Sequence, residues 1–217
     1  MSVSKEERAL LVVSNMTTHG RDDLHWLYCF LEISGTTLTD LILCPRYKIY
    51  RKLIKEEATS QAFIEAIANA GAKTSIKAID IILMLHGLED ELSFADGAIP
   101  SLVLASDIAA LNVGAKLRML YSTTCYGKSH ALDFIIAGFT TACGSLATNA
   151  NAATEFPAVL TMWAAGSSLK KAIAIGDTSL TRIAQDQAAR AMGFADADST
   201  KEIIGSREIT IRSEVEG

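Results

Sequence analysis

Short runs of Ile, Val and Leu that do not alternate with polar residues recur along the chain between longer segments of helical periodicity. A strand wetted on one face alternates, whereas a strand buried on both faces does not. These runs therefore specify a mainly parallel sheet covered by helices on both sides. The pattern predicts strands over residues 9–14, 40–44 (stopped by Pro45), 79–85, 117–121 and 140–147, with an alternating edge strand over 208–212. It predicts helices over 23–33, 47–70, 130–137, 156–163 and 168–192. The first carries Leu24, Leu27, Tyr28 and Leu31 on one stripe, and the second buries Ala62, Phe63, Ala66, Ile67 and Ala70.

With 217 residues, 49% of them apolar, and only 3 Pro and 14 Gly, the chain is expected to form one domain over 1–217 with a sizeable core. No internal repeat, linker or composition break divides it, and residues 1–7 are expected to be a frayed end. The net charge of -5, without a cluster of Lys and Arg, argues against a nucleic acid or an anionic membrane as partner. Cys29, Cys44, Cys125 and Cys143 lie far apart with no CxxC pair and no Cys/His zinc spacing, so neither a metal site nor a disulfide framework is specified. The N-terminus lacks the length and cleavage pattern of a signal peptide, and the expected compartment is a reducing cytoplasm. Residues 134–169 contain one charge, Glu155, but Gly138, Gly144, Asn149, Asn151 and Pro157 interrupt any 20-residue apolar helix there. That stretch reads as buried core.

In an open parallel sheet, ligands collect in the crevice at the carboxyl ends of the strands. Two predicted strands end there in reactive residues, His86 and Cys125, 39 positions apart. A thiol becomes a nucleophile beside a base or positive charge, and an imidazole can then protonate a leaving amine. Gly87 and Gly127 would let backbone N–H groups approach a substrate carbonyl. The same residues also suit a buried cysteine and a histidine at a strand end.

The segments Ile79-Asp-Ile-Ile-Leu-Met-Leu-His86-Gly87, Leu102-Val-Leu-Ala-Ser-Asp107 and Lys116-Leu-Arg-Met-Leu-Tyr-Ser-Thr-Thr-Cys125-Tyr-Gly127 resemble the caspase-like (clan CD) cysteine peptidases. Within that clan they are most similar to the CHAT, separase and gingipain side. Phe134-Ile-Ile-Ala-Gly138 and Gly166-Ser-Ser-Leu-Lys-Lys-Ala172 extend the resemblance, which covers residues 79–175. It implies a three-layer α/β sandwich, His86 as general acid/base, Cys125 as nucleophile, and the N–H groups of Gly87 and Cys125 as the oxyanion hole. It also implies a protein or peptide substrate, with no metal or organic cofactor. The family usually has a small Ala before the nucleophile, where Thr124 stands here as a candidate substrate contact. Asp107 and Glu155 are candidate negative walls of a specificity pocket and Arg21 a candidate positive one. No recognition or repeat domain accompanies the module, so a regulatory partner would come from another chain.

Two other readings compete. One is a caspase-like scaffold whose Cys125 has ordinary thiol reactivity, where a protease would show a depressed thiol pKa. The other takes Ser122-Thr-Thr-Cys-Tyr-Gly127-Lys128-Ser129 as a phosphate-cradling loop that lacks its first glycine. Elsewhere, His19-Gly20 reads as a rim or helix-opening turn. His25 and His130 read as structural, with His130 a distant substitute base. Trp26 and Trp163 are expected to anchor a core or interface.

Overall fold

Every residue of the first strand, β1 (Arg8–Asn15), is buried, and its side chains divide by parity. Ala9, Leu11 and Val13 enter one core while Leu10 and Val12 enter the other. Both faces being covered, selection puts an apolar residue at each position and the alternation disappears. The computed structural model describes residues 2–215. After β1 come α1 (His25–Leu38), β2 (Ile49–Ile54), α2 (Ser60–Gly71), β3 (Ala78–Leu88), the strands β4 (Glu91–Phe94) and β5 (Gly97–Pro100), and α3 (Ser101–Ala110). Then follow β6 (Leu117–Ser122), α4 (Gly127–Ile136), β7 (Thr141–Ser145), α5 (Ala152–Ala164), α6 (Leu169–Gly176), α7 (Ser179–Ala191) and β8 (Lys201–Gly205).

The sheet order is β2-β1-β3-β6-β7-β8. Its first five strands run parallel and β8 closes the edge antiparallel. The α2, α3 and α4 residues Phe63, Ile67, Leu104, Ile108, Ala131 and Phe134 cover one face. Phe156, Leu160 and Trp163 of α5, with Leu169 and Ile173 of α6, cover the other. This is the α/β sandwich with a mainly parallel central sheet that the apolar runs specify.

A buried ion pair pins the second face. Asp80 and Arg118, on neighbouring strands and both fully buried, make two contacts of 2.9 and 2.6 Å. Tyr47 Oη donates to Asp80 at 2.6 Å, and Trp163 Nε1 donates to Tyr47 Oη at 3.0 Å. Arg118 also donates to the carbonyls of Ile211 and Ser213, tying down the C-terminal segment. Each charge thus has the partners that a desolvated ion requires.

Several element boundaries differ from the sequence expectation. Residues 40–44 form no strand, because the helical path of α1 continues through a wide turn and a short 3-10 turn to Arg46, with Pro45 inside that turn. The second strand is Ile49–Ile54, where the expected helix over 47–70 would begin. It is an edge strand, and its exposed Arg51 blunts that edge while disguising the strand as a polar helix. The expected helix over 168–192 is two helices broken at Asp177. Residues 208–212 are not the edge strand, although their alternation is real. Ile209 and Ile211 are buried against the second core, and the carbonyls of Arg207 and Ile209 accept from the start of α6. Residues 5–7 form a short helical turn, and Val3 is buried with its N–H on the Arg212 carbonyl, so this end is not frayed; Met1 lies outside the described residues.

Pro157 lies inside α5 rather than ending it. Among the described residues one helical run, Asp22–Arg46, is long and apolar enough by length and composition to cross a membrane. It is not the 134–169 stretch. Its inner side carries the buried Glu32, Gly35 and Thr36, whereas Trp26, Phe30, Ile33 and Leu41 are exposed.

Candidate active site

The site forms where β3 and β6 end side by side. Leu83 of β3 pairs with Ser122 of β6 in parallel register, so His86 and Cys125 emerge three residues later from the same edge of the sheet. Both side chains line the same two cavities. Glycines make this proximity possible. A Cβ on Gly87 would stand 2.8 Å from the Cys125 carbonyl oxygen. Gly20, at φ +111°, lies against the imidazole, where a Cβ would meet two His86 ring atoms at 2.9 Å.

Cys125 sits two residues before α4, on a loop fixed from several directions. Thr123 N–H donates to the Leu83 carbonyl at 2.9 Å and Tyr126 N–H to Ala147 at 2.9 Å. Asn149 Nδ2 donates to the Thr123 carbonyl at 2.8 Å, and Ser145 Oγ to the Thr124 carbonyl at 3.0 Å. Tyr126 takes a left-handed conformation to enter the helix. The next residue, Gly127, crosses Gly144 so closely that a Cβ on Gly144 would lie 2.4 Å from the Gly127 Cα. The Asn149 N–H reaches Cys125 Sγ at 3.4 Å.

His86 is oriented by backbone. Its Nε2–H donates to the Met16 carbonyl at 2.9 Å, which leaves Nδ1 as the unprotonated ring nitrogen of a neutral imidazole. Tyr28 packs edge-on against the ring at 4.6 Å. The Met16 N–H in turn donates to Glu32 Oε2 at 3.0 Å, so the buried carboxylate of α1 holds the loop whose carbonyl aims the imidazole. Sequence reasoning missed both Met16, which acts through backbone, and Glu32. A lone acid inside an apolar helical stripe was the only signal available.

Burial pushes the Cys125 thiol above its ordinary value, against smaller lowering effects of the Asn149 N–H and Lys201. Burial also lowers the His86 pKa, partly offset by the Met16 carbonyl. The unliganded pair is therefore thiol and neutral imidazole, not the thiolate–imidazolium pair that a depressed thiol pKa would give.

The other sequence candidates scatter. Thr124 is fully buried beneath Cys125 and its hydroxyl meets Ser122 Oγ at 2.6 Å, so it supports the loop instead of facing a substrate. Glu155 is sealed in the core, accepting from Tyr121 Oη at 2.6 Å with Lys201 Nζ at 3.7 Å, and burial raises its pKa. Asp107 is exposed on α3 and lines neither cavity at the dyad. Arg21 does stand on the rim of the more open cleft. Its charge is engaged by Asp23 at 2.7 Å, its Nη1 donates to the Met192 carbonyl, and its guanidinium lies over Phe194.

His19 belongs to the same cleft and donates to the Phe94 carbonyl at 2.9 Å, joining the β1 loop to β4 rather than capping a helix. His130 is buried under the loop and donates to the Leu88 carbonyl at 2.7 Å. Lys128, the lysine of the phosphate-loop reading, pairs with Glu202 at 2.8 Å. Trp163 is a core residue whereas Trp26 is exposed at the cavity rim, and the four cysteines are free thiols.

No family model matches the sequence, and no curated protein matches it. Among solved structures the chain is similar to a secreted C11 cysteine protease from Bacteroides thetaiotaomicron, determined in complex with an irreversible peptide inhibitor. The TM-score is 0.54 at 10% identity, over 92% of this chain. The chain spans 66% of that neighbour's length. At this identity the likeness is one of architecture, and the architecture is the caspase-like α/β sandwich.

Proposed function

We propose that the chain is a cysteine endopeptidase acting through His86 and Cys125. The observation that carries this reading is the pairing of β3 with β6, which sets a thiol and an imidazole held through Nε2–H by the Met16 carbonyl on the same cavities. On substrate binding, His86 would take the thiol proton as Cys125 Sγ attacks the scissile carbonyl carbon. The imidazolium then gives that proton to the departing amine, leaving an acyl-enzyme that water hydrolyses with His86 as base. Gly87 and Cys125, whose backbones meet beside the dyad, are the proposed oxyanion donors. The finer placement beside CHAT proteases, separases and gingipains rests on the sequence motifs, as does the proposal of a regulatory partner chain.

The raised thiol pKa favours one second reading, a catalytically silent caspase-like scaffold. A panel of fluorogenic peptides ending in Arg, Lys, Asp, Asn, Leu or Phe decides between them, with wild type compared to Cys125→Ala and His86→Ala. Turnover abolished by Cys125→Ala and reduced about 100-fold or more by His86→Ala is the peptidase outcome. Absence of turnover on every peptide, together with peptidyl alkylating reagents reacting at Cys125 no faster than in His86→Ala, is the scaffold outcome.

A further inference from the structure

The two cavities that meet at the dyad differ in chemistry. The open cleft, of about 490 Å³, is lined by His19, Arg21, Ser93 and Asp196 among others. The second cavity, of about 290 Å³, runs back between α1, α5 and α7 and reaches Met16, Thr123, His86 and Cys125. Its wall includes Leu27 and Leu31 of α1, Phe156 of α5, Ala188 of α7 and Met192 just beyond it, and no Asp, Glu, Lys or Arg side chain lines it. Of its polar residues, Asn149 Nδ2 donates to the Thr123 carbonyl, Ser34 Oγ to the Phe30 carbonyl and Thr148 Oγ1 to Asp196, while Gln185 and Tyr28 add uncharged polar groups to the wall. Arg21, which lines the open cleft instead, is paired with Asp23 at 2.7 Å, and Glu155 is sealed in the core.

We propose that this cavity receives the substrate side chain next to the scissile bond and selects a large uncharged apolar residue, Leu, Met or Phe. The assignment rests on the peptidase reading above. A charged side chain entering it would leave water with no counter-ion to meet it, which disfavours the bound state strongly. An apolar side chain gains from leaving water. The open cleft, with its own hydrogen-bonding groups, is left for the flanking peptide backbone. The candidate pocket charges Asp107 and Glu155 play no part, so acidic and basic specificity both lose their counter-ions.

The test is alkylation of Cys125 in the full chain by peptidyl chloromethyl ketones that are identical except for the terminal residue: Leu, Phe, Met, Arg, Lys, Asp or Asn. Each forms a C–S bond with loss of chloride, and mass mapping gives the second-order rate at Cys125. Leu, Phe or Met is expected to react at least about tenfold faster than any charged reagent, roughly 1.4 kcal/mol of selectivity. Ala188→Asp, at an exposed position of the wall, is expected to shift the Leu/Arg rate ratio at least about tenfold toward Arg. Met192→Glu is the second variant should the first unfold. Fastest reaction with a charged reagent, or a ratio unmoved in folded variants, overturns the pocket assignment while leaving the dyad standing. Reagents that react no faster in wild type than in His86→Ala overturn the peptidase reading and the pocket with it.

Discussion

The resting state of the dyad makes the sharpest quantitative prediction. Burial holds the Cys125 thiol above its ordinary value of 9.0 and holds His86 below 6.5, so neither group is charged near neutrality. With a thiol pKa of 9 or more, at most about 1% is thiolate at pH 7, and a thiolate is the species that reacts with iodoacetamide. The Cys125 alkylation rate should therefore climb about tenfold per pH unit from pH 6 to pH 8, roughly 100-fold in all, without a plateau. A pre-formed ion pair, whose thiol pKa would fall in the range of about 3.5–7.5, would give a rate that is flat across that interval or bends toward a plateau within it. The assay is timed alkylation followed by mass mapping, with the partly exposed Cys29 as internal control. Because His86 is neutral at rest, His86→Ala should alter this curve by less than about threefold while peptide turnover falls about 100-fold or more. A flat rate between pH 6 and 8, or a collapse of simple alkylation in His86→Ala, would refute the neutral-pair argument and put a charged imidazole beside the sulfur.

Three further outcomes follow from the same structure. Asp80→Ala strands the fully buried Arg118 and should cost about 3–5 kcal/mol, or about 6–20 °C in melting temperature for a domain of this size. Adding Arg118→Met should recover much of that loss, and thermal unfolding checks both. Glu32→Ala leaves the Met16 N–H without its acceptor, at a cost of about 1–3 kcal/mol. It should lower kcat more than it raises KM, whereas Glu32→Gln, which keeps an acceptor oxygen, should restore most of the rate. His130, whose pKa burial lowers from 6.5, binds its proton more readily in the unfolded chain. Its contribution to stability is thus complete above about pH 6.5 and declines as pH falls through and below that value. Urea titrations between pH 5 and 7 should show a shallower pH slope in His130→Gln.

What the sequence discloses and what it hides follow from how each part is made. Strands β3 and β6 are buried on both faces, so their composition announces them, and a reactive residue just past such a strand can land only at the carboxyl edge of the sheet. His86 and Cys125 are legible for that reason. Strand β2 is an edge, free to carry Arg51 and Lys52, and it borrows the look of a polar helix. The hairpin β4–β5 and helix α3 drew no sequence expectation, although Asp96-Gly97 is a turn signal and Asp96 in fact caps α2 through the Ser60 N–H at 2.9 Å. The candidate pocket charges are harder to place for a different reason. Sequence shows that Asp107, Glu155 and Arg21 carry charge, but only packing shows that one lies on another face, one is sealed in the core and one is already paired.

The least legible part of the site is its backbone, and the backbone decides how the dyad works. The Met16 carbonyl selects which imidazole nitrogen carries the proton, a choice no side-chain motif encodes. Gly20 and Gly87 admit the ring and the Cys125 loop to distances that a Cβ would forbid. Partial burial in that setting shifts the thiol up and the imidazole down. An apolar substrate residue entering the adjoining cavity would exclude water further without adding charge. In the proposed peptidase mechanism, proton transfer from Cys125 to His86 would belong to the reaction itself, with the Met16 carbonyl in place to stabilise the imidazolium as it forms.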